Sequence, residues 1–155
     1  MVILEDTRQQ AAKHENKHSY FASEGITIVR TKLPFGDYAL WGGTTSVDTK
    51  ASVEEIAANI GGKEHARFRE ECKLAQQLDG QLVVLIENRN GFRCIDDVVG
   101  WINPNVRKTA RSIDGTRLAK AMHTMSDRYG VQFQFCTPEE SGKRVIELLE
   151  NDNVK

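Results

Sequence analysis

The sequence predicts an α/β sandwich in which helices cover both faces of a mixed β-sheet. Strand and helix patterns alternate along the chain in the order β-α-β-β-β-α-α-β-α-α-β-α. The run QLVVLIEN at 81–88 is apolar enough to be buried on both faces, as in a sheet covered by helices. With 155 residues, 39% hydrophobic and 28% charged, the chain suits one domain with one core.

The N-terminal segment predicts a strand, a helix and a second strand. MVILED is a short apolar strand that ends in acidic residues. The segment 8–23 has many helix formers and no Pro or Gly, so its helix ends before Gly25. ITIVRTKL at 26–33 is rich in β-branched residues and partly alternates, which predicts the second strand.

A β-hairpin and a capped helix are predicted next. A turn around Gly36 precedes the strands DYALWG and SVDTK, which the turn sequence GGTT connects. Ser52 is followed three residues later by Glu55, the capping-box signature of a helix N-terminus. We therefore expect a helix over about 53–60.

The second half of the chain alternates between helices and strands, except for 89–113, where Gly91, Gly100 and Pro104 interrupt the pattern. Pro138 near the first turn is typical of a helix start and places the last helix. The predicted elements are helices at 63–78, 94–99, 115–130 and 138–150, and strands at 81–88 and 131–136.

Composition excludes several classes of protein. The net charge of −1 gives no global field for a nucleic acid or a membrane, so a polyanion would need a local basic patch. The three cysteines are scattered without CxxC spacing, which favours reduced thiols over a disulfide framework or a zinc site. No apolar run is long enough to cross a membrane and no signal peptide begins the chain, so we expect a cytoplasmic protein.

Two aspartates and a lysine mark the hairpin as the place where chemistry is expected. If the turn is centred on the two glycines, Asp37 and Asp48 face each other across the two strands. Lys50 lies two residues after Asp48 and projects from the same face of the same strand. The three side chains are therefore predicted to converge at one end of the hairpin.

This trio suits metal-assisted hydrolysis of a phosphodiester. The carboxylates of Asp37 and Asp48 are hard oxygen ligands for Mg²⁺ or Mn²⁺, and the backbone carbonyl of Thr49 adds another. Lys50 would orient the attacking water and stabilise the negative charge that develops on the phosphate. The alternative is a solvated hairpin edge that carries a cross-strand ion pair.

The pattern resembles the nuclease domain of the XPF-family structure-specific endonucleases, a branch of the PD-(D/E)xK restriction-endonuclease-like superfamily. That family has a G-D pair, a variable spacer and then E-R-K-x-x-x-D. The corresponding residues here are Gly36-Asp37, a spacer of ten residues, Asp48-Thr49-Lys50, three further residues and Glu54.

The similarity extends over about residues 2–87. The family's D-x-R-E after the first strand corresponds to Asp6-Thr7-Arg8-Gln9. Its arginine-led helix and the apolar strand ending in I-E correspond to the helix with Arg67 and to LVVLIE. The resemblance implies a restriction-endonuclease-like three-layer sandwich with a central mixed sheet.

The resemblance also implies roles for individual residues. Asp37, Asp48 and the Thr49 carbonyl would bind the metal, Lys50 would be the catalytic lysine, and Asp6 and Glu54 would be further acids. Arg8 and Arg67 would lie close to the DNA. Three residues differ from the family. Thr49 replaces the arginine of E-R-K, and Gln9 replaces the glutamate of D-x-R-E. Asp48 is one methylene shorter than the glutamate of E-R-K, and these differences bear on rate and substrate.

Residues 88–128 are predicted to be an insertion in a single domain that spans 1–155. Five basic residues and one acidic residue lie within 104–120, and Arg107, Lys108 and Arg111 are predicted to contact the DNA backbone. A solvated surface is the alternative for this run. Trp101 would either stack on an unpaired base or, as we favour, pack beneath the loop.

The histidines give a weaker signal. His14 and His18 lie four residues apart, as zinc ligands on a helix do, but no third ligand follows at a suitable spacing. The sequence therefore favours a solvated helix face for both.

The sequence thus predicts a Mg²⁺- or Mn²⁺-dependent DNA endonuclease that acts on branched, flap or junction DNA. The alternative is a catalytically inactive nuclease fold that binds DNA or a partner protein, such as a phage factor. No helix-hairpin-helix modules follow residue 87, so a separate DNA-targeting partner is expected, and VIELLE at 145–150 suggests a homodimer. The resemblance implies a bacterial or phage-infected cell as the source.

Overall fold

The computed structural model describes residues 1–9, 14–105 and 112–154. It contains a six-stranded mixed sheet with the strand order β2-β1-β3-β4-β5-β6. β3 is antiparallel to both β1 and β4, whereas the β1–β2, β4–β5 and β5–β6 pairs are parallel. The strands are β1 (Val2–Asp6), β2 (Thr27–Thr31), β3 (Tyr38–Leu40), β4 (Thr45–Lys50), β5 (Gln81–Glu87) and β6 (Gln132–Cys136).

Helices cover both faces of this sheet, which confirms the predicted three-layer α/β architecture. The α-helices are α1 (Glu15–Ser23), α2 (Val53–Gly61), α3 (His65–Gln77), α4 (Gly115–Tyr129) and α5 (Ser141–Glu150). Short 3₁₀ helices cover Ile95–Gly100, Pro138–Glu140 and Asn151–Val154. Among the described residues, no helix combines the length and apolarity that a membrane crossing requires.

Two hydrophobic cores lie on opposite sides of the sheet, and β5 contributes to both. Val84 and Ile86 pack with α2, α3 and α4, whereas Val83 and Leu85 pack with α1 and α5. Alternate residues of a strand point to opposite faces, so a strand buried on both sides has no polar positions. This explains the continuous apolar run in the sequence.

The start of α2 at Ser52 and the burial of Trp101 bear on two of the sequence predictions. The Ser52 side chain accepts a hydrogen bond from the Glu55 N–H at 3.2 Å, as the capping signature predicts, although the Glu55 carboxylate accepts from Ala51 instead of from Ser52. Trp101 is only 5% exposed and belongs to the core that α2–α4 cover, so the idea that it stacks on a base is wrong.

The segment 88–128, predicted to be an insertion, contributes to the core that contains Val84 and Ile86. Leu118 and Met122 of α4 belong to that core. Its status as an insertion stays a prediction. In α5, Val145 and Leu149 are completely buried within the chain, whereas Ile146 and Leu148 are half-buried. The predicted homodimer must therefore use the outer face of α5, and it too stays a prediction.

Candidate functional site

The hairpin register brings Asp37 and Asp48 to the same end of the sheet. Tyr38 pairs with Val47, so the residue before Tyr38 lies opposite the residue after Val47. The N–H of Asp37 donates to the Val47 carbonyl at 2.9 Å, which extends the antiparallel pairing to Asp37. Both acids are buried and line a cleft of about 650 Å³ at the end of β1, β3, β4 and β5.

Asp48 and Lys50 project from the face of β4 that α2 and α3 cover. Their partners on β5 are Val84 and Ile86, both members of the core on that side. Lys50 Nζ lies 3.0 Å from Asp48 Oδ2 and 5.8 Å from the centre of the Phe68 ring. The structure therefore brings the two aspartates and the lysine together.

The Asp37 carboxylate is held by hydrogen bonds on both of its oxygens. Its Oδ2 accepts from the Thr49 N–H at 2.8 Å and from the Thr49 hydroxyl at 3.0 Å. Its Oδ1 accepts from the Gln9 side-chain amide. Burial, followed by the nearby charge of Asp48, raises the pKa of Asp37 well above its usual range.

The Thr49 carbonyl lies on the same side of β4 as Asp37. In a strand, the N–H and C=O of one residue point the same way, and the Thr49 N–H donates to Asp37. β3 ends before it can pair with this carbonyl, because the ladder between β3 and β4 covers only Tyr38–Ala39 and their partners. The carbonyl is thus directed to the side of β4 on which Asp37 lies.

Asp48 has one oxygen without a hydrogen bond. The residue is 5% exposed, and its Oδ2 accepts no hydrogen bond within the described part of the chain, although Lys50 Nζ lies at ion-pair distance. A buried carboxylate oxygen without a donor is costly unless a cation neutralises it. Lys50 supplies that positive charge, and it is the one partner that the described residues give to Asp48 Oδ2.

Lys50 is held as a cation. Burial favours its neutral form, but the charges of Asp48 and Asp37 outweigh burial and raise the pKa of Lys50 above its usual value. An ammonium with a raised pKa stays protonated at neutral pH, so it cannot act as a general base. Its chemical use is to donate hydrogen bonds and to stabilise negative charge.

Asp6 is placed at the edge of the cleft, where it braces the turn before β3. Its Oδ2 accepts from Arg8 Nε at 2.7 Å, and its Oδ1 accepts from the Leu33 N–H at 2.9 Å. Arg8 Nη2 in turn donates to the Leu33 carbonyl at 2.9 Å. Burial acts to raise the pKa of Asp6, but the hydrogen bonds from Arg8 and Leu33 lower it overall.

Asp6→Asn is expected to destabilise the protein by about 1–2 kcal/mol at pH 7, because an amide cannot accept from both Arg8 and Leu33. The folded-state pKa of Asp6 is lowered, so its contribution is present above the unfolded pKa and is lost as the pH falls through the folded pKa. Urea unfolding at pH 7 and at pH 3 measures this. An equal loss at both pH values would contradict the assignment.

Gly36 is the residue that allows the chain to turn into β3. Its φ is +76°, and a Cβ built on it would lie 2.6 Å from the Ser46 Cβ. Gly42 has a similar φ of +74° but no atom within 4 Å of such a Cβ. The G-D pair in the sequence thus reflects a close approach between the turn and β4.

Gly36→Ala is expected to cost about 2–4 kcal/mol of stability, from backbone strain and from the contact with Ser46. Gly42→Ala is the matched control, because it has the strain without the contact, and it should cost about 1 kcal/mol. Thermal unfolding of both variants measures the difference. Equal losses in the two variants would show that the close approach carries no energy.

Glu54 lies outside the cleft. It is exposed and borders a different depression, which Ala57, Lys63 and Asn103 also line. Glu55 is the residue of this helix turn that lines the cleft. The structure therefore does not bring Glu54 together with Asp37, Asp48 and Lys50.

The predicted DNA-contacting residues fall into two groups. Arg8 and Arg67 both line the cleft, and the Arg67 side chain is 78% exposed with only a distant contact to Glu64, at 3.7 Å. The other group lies outside the described residues: Arg107, Lys108 and Arg111.

Glu71 on α3 is a cleft residue that sequence reasoning missed. Its Oε1 accepts from the Gly36 N–H at 2.8 Å. Burial, followed by the charge of Asp48, raises the pKa of Glu71. The only sequence signal was its helical spacing from Phe68, which places both residues on the sheet-facing side of the helix.

A buried ion pair between Lys17 and Glu87 was also missed. Lys17 Nζ lies 3.0 Å from Glu87 Oε2, and both side chains line the cleft on its α1 side. Lysine and glutamate are rarely buried unless they are paired. The pair joins α1 to the end of β5 and so closes one side of the cleft.

The histidines are not on a solvated helix face, contrary to the sequence prediction. His14 is buried and its Nδ1 is hydrogen-bonded to the Tyr38 hydroxyl at 2.8 Å. His18 is half-buried and contacts the buried carboxylate of Glu5. Both therefore help to attach α1 to the sheet, because they pair with residues of β1 and β3.

The cleft as a whole is acidic, since eight Asp and Glu residues but only four Lys and Arg residues line it. Across residues 1–9, 14–105 and 112–154, however, no three His, Cys, Asp or Glu side chains are grouped closely enough to hold a metal ion between them. Mg²⁺ commonly uses one or two carboxylates and keeps several waters. The carboxylates of Asp37 and Asp48, with the Thr49 carbonyl on the Asp37 side of β4, are oxygen donors that fit that requirement.

Two solved structures share this fold. XPF from Aeropyrum pernix matches with a TM-score of 0.69 and 17% identity, and the structure of XPF from the same organism in complex with DNA matches with 0.66 and 19%. Both matches cover 99% of this chain and 65% of the XPF chain, so this chain spans about two thirds of that length. No protein-family model and no curated protein matches the sequence.

The similarity at this level of identity concerns the fold. It extends over nearly the entire chain, since both matches cover 99% of it. The chain therefore has the fold of an XPF-like nuclease domain, as the resemblance in its sequence predicted.

Proposed function

We propose that this chain is a divalent-metal-dependent DNA endonuclease that acts on branched, flap or junction DNA. The observation that carries the proposal is the convergence of Asp37, Asp48 and Lys50 in a cleft of an XPF-like fold, where Lys50 Nζ lies 3.0 Å from Asp48 Oδ2. The similarity to the structure of XPF from Aeropyrum pernix in complex with DNA supports DNA as the substrate class.

The residues that would hold Mg²⁺ or Mn²⁺ are Asp37, Asp48 and the Thr49 carbonyl. When bound, the cation supplies a Lewis acid that polarises the phosphodiester and lowers the pKa of a water. Thr49 fixes the Asp37 carboxylate through two hydrogen bonds, so this ligand is oriented before the cation arrives. This threonine replaces the family's arginine, and its hydroxyl serves the acid instead of the phosphate.

Lys50 acts as a fixed positive charge next to the reacting phosphate. Its raised pKa keeps it protonated, so it orients the attacking water and stabilises the charge that develops on the phosphate oxygens. Arg8 and Arg67 line the cleft and would contact neighbouring phosphates. The acidic lining makes the cation necessary, because a bare cleft with excess carboxylates repels a polyanion.

The test uses labelled flap, fork, junction and linear duplex DNA with the purified chain in Mg²⁺ or Mn²⁺, and parallel reactions in EDTA. Cleavage of a branched substrate that EDTA abolishes, and that Asp48→Ala lacks, supports the proposal. Equal cleavage by wild type and Asp48→Ala would indicate a contaminating nuclease. Salt-sensitive DNA binding without cleavage would favour the inactive DNA-binding alternative, and no binding would favour a protein-interaction role.

A further inference from the structure

Glu71 makes a single hydrogen bond within the described residues, and it is directed at the turn that carries Asp37. The residue lies on α3 between the buried Phe68 and Cys72 and lines the cleft. Its Oε1 accepts from the Gly36 N–H at 2.8 Å, and no other hydrogen bond to this carboxylate occurs in the described part of the chain. A charged acceptor makes a stronger hydrogen bond than a neutral one.

The Gly36 N–H depends on this acceptor. Gly36 is buried, and its Cα is packed so closely against Ser46 that no side chain fits there. A buried N–H without a partner is rare in folded proteins, because it loses its hydrogen bond to water. Without Glu71, the turn would have to move until water reached this N–H.

Any such movement is transmitted directly to Asp37. The Gly36 N–H is bound to Glu71, and the next N–H, that of Asp37, donates to the Val47 carbonyl at 2.9 Å. These two bonds fix consecutive peptide groups and so set the direction of the Asp37 side chain. The Thr49 and Gln9 donors then receive its carboxylate in one orientation.

We propose that Glu71 is a positioning residue of the cation site, which acts by holding the Gly36 N–H and thereby the Asp37 carboxylate. The inference rests on the proposed function, because it assigns a role toward the divalent cation. Residues that orient metal ligands typically change metal affinity 10- to 100-fold when they are replaced. Glu71 would accordingly control cation affinity without being one of the proposed ligands.

Two substitutions separate the hydrogen bond from the charge. Glu71→Gln keeps the length and an acceptor oxygen but removes the charge, whereas Glu71→Asp keeps the charge but is too short to reach Gly36. Glu150→Asp is the matched control, because it makes the same change at an exposed position of α5 that does not line the cleft. All variants are studied as the full chain without DNA.

Mn²⁺ binding to the metal-free protein, followed by electron paramagnetic resonance of the free ion, is the first readout. Glu71→Asp is expected to weaken Mn²⁺ binding by about tenfold, whereas Glu71→Gln and Glu150→Asp should stay within about threefold of wild type. Amide hydrogen exchange at Gly36 is the second readout, and only Glu71→Asp should accelerate it. The unfolding midpoint confirms that each variant is folded.

Several results would overturn the inference. Mn²⁺ binding by Glu71→Asp within twofold of wild type would remove the positioning role, as would unchanged exchange at Gly36. A loss of affinity in Glu71→Gln equal to that in Glu71→Asp would assign the effect to charge instead. Wild-type protein that binds no Mn²⁺ would overturn the proposed function itself. Normal Mn²⁺ binding by the wild type that no Glu71 variant weakens would overturn only the role of Glu71.

Discussion

Asp37→Asn is expected to abolish metal-dependent DNA cleavage while it stabilises the metal-free protein. The substitution removes an anionic ligand of the proposed cation, so cleavage should fall by about 10³-fold or more, as expected when a metal-dependent reaction loses several kcal/mol of charge stabilisation. It also removes a buried carboxylate whose pKa is raised by burial and by Asp48. Loss of function and gain of stability should therefore occur together.

Asparagine fits the position of Asp37 without loss of hydrogen bonds. Its carbonyl oxygen can accept from both the N–H and the hydroxyl of Thr49, as Oδ2 does now. Its amide nitrogen then faces Gln9, whose side-chain amide can rotate to offer its oxygen instead of its nitrogen. The net change is the removal of a buried charge, for which we expect a gain of about 1 kcal/mol, or about 2–4 °C in midpoint.

The size of this gain should depend on pH. The pKa of Asp37 is raised in the folded state, so the unfolded chain binds fewer protons there, and wild-type stability falls as the pH rises through the raised pKa. The advantage of Asp37→Asn over wild type should therefore be larger at pH 9 than at pH 5. Urea unfolding in EDTA measures it.

Asp127→Asn is the matched control for this variant, because Asp127 is an exposed acid on α4 with no described ion pair. It should change neither cleavage nor stability. An Asp37→Asn protein that cleaves at the wild-type rate would remove Asp37 from the reaction. One that is clearly less stable than wild type in EDTA would show that the buried charge is already compensated without a cation.

The acids of the hairpin could be predicted from the sequence because their arrangement is local. A two-residue side-chain period and a turn of known position fix which residues of two adjacent strands face each other. Asp37, Asp48 and Lys50 meet for this reason, and the register Tyr38–Val47 is the one that the turn predicts. No knowledge of the remaining chain was needed.

The remaining cleft residues depend on contacts that sequence spacing does not specify. Glu71 reaches Gly36 across 35 positions, and Lys17 reaches Glu87 across 70. Each contact depends on how a helix is rotated and placed over the sheet, which is a property of the packed cores. Buried acids on amphipathic helices look like ordinary polar positions until that packing is known.

Sequence spacing also fails to show which of the neighbouring residues Glu54 and Glu55 faces the cleft. Both lie in the first turn of α2, where acids are favoured by the helix dipole whether or not they serve a site. The resemblance matched Glu54 by its spacing from Lys50, but the rotation of α2 turns Glu55 toward the cleft. One residue corresponds to about 100° on a helix, so a single step changes the face.

Lys50→Met and Asp48→Asn are each expected to destabilise the protein, whereas the double variant recovers most of the loss. Each single change leaves a buried charge without its ion-pair partner at 3.0 Å, because the side chains of Lys50 and Asp48 are only 12% and 7% exposed. Breaking a buried ion pair in this way costs about 3–5 kcal/mol, whereas replacing both partners is often nearly neutral. The double variant should therefore be several kcal/mol more stable than the sum of the two single losses predicts.

The two single variants should differ in how much stability they lose. Lys50→Met leaves Asp48 and Asp37 without the cation that both face, and the described residues offer Asp48 Oδ2 no other partner. Asp48→Asn leaves Lys50 with Asp37 as a remaining acidic neighbour. We therefore expect Lys50→Met to be the more destabilising, and Mg²⁺ to restore part of its stability, because the cation replaces the missing positive charge.

Cleavage should not follow stability in this series. All three variants lack a ligand or the charge that stabilises the reacting phosphate, so each should lose about 10²-fold or more in rate, including the double variant that regains its fold. Urea unfolding and cleavage of one DNA substrate, measured on the same preparations, separate the two effects. A double variant that regains both stability and cleavage would show that the pair serves only the fold, because an electrostatic role at the phosphate requires the charges themselves.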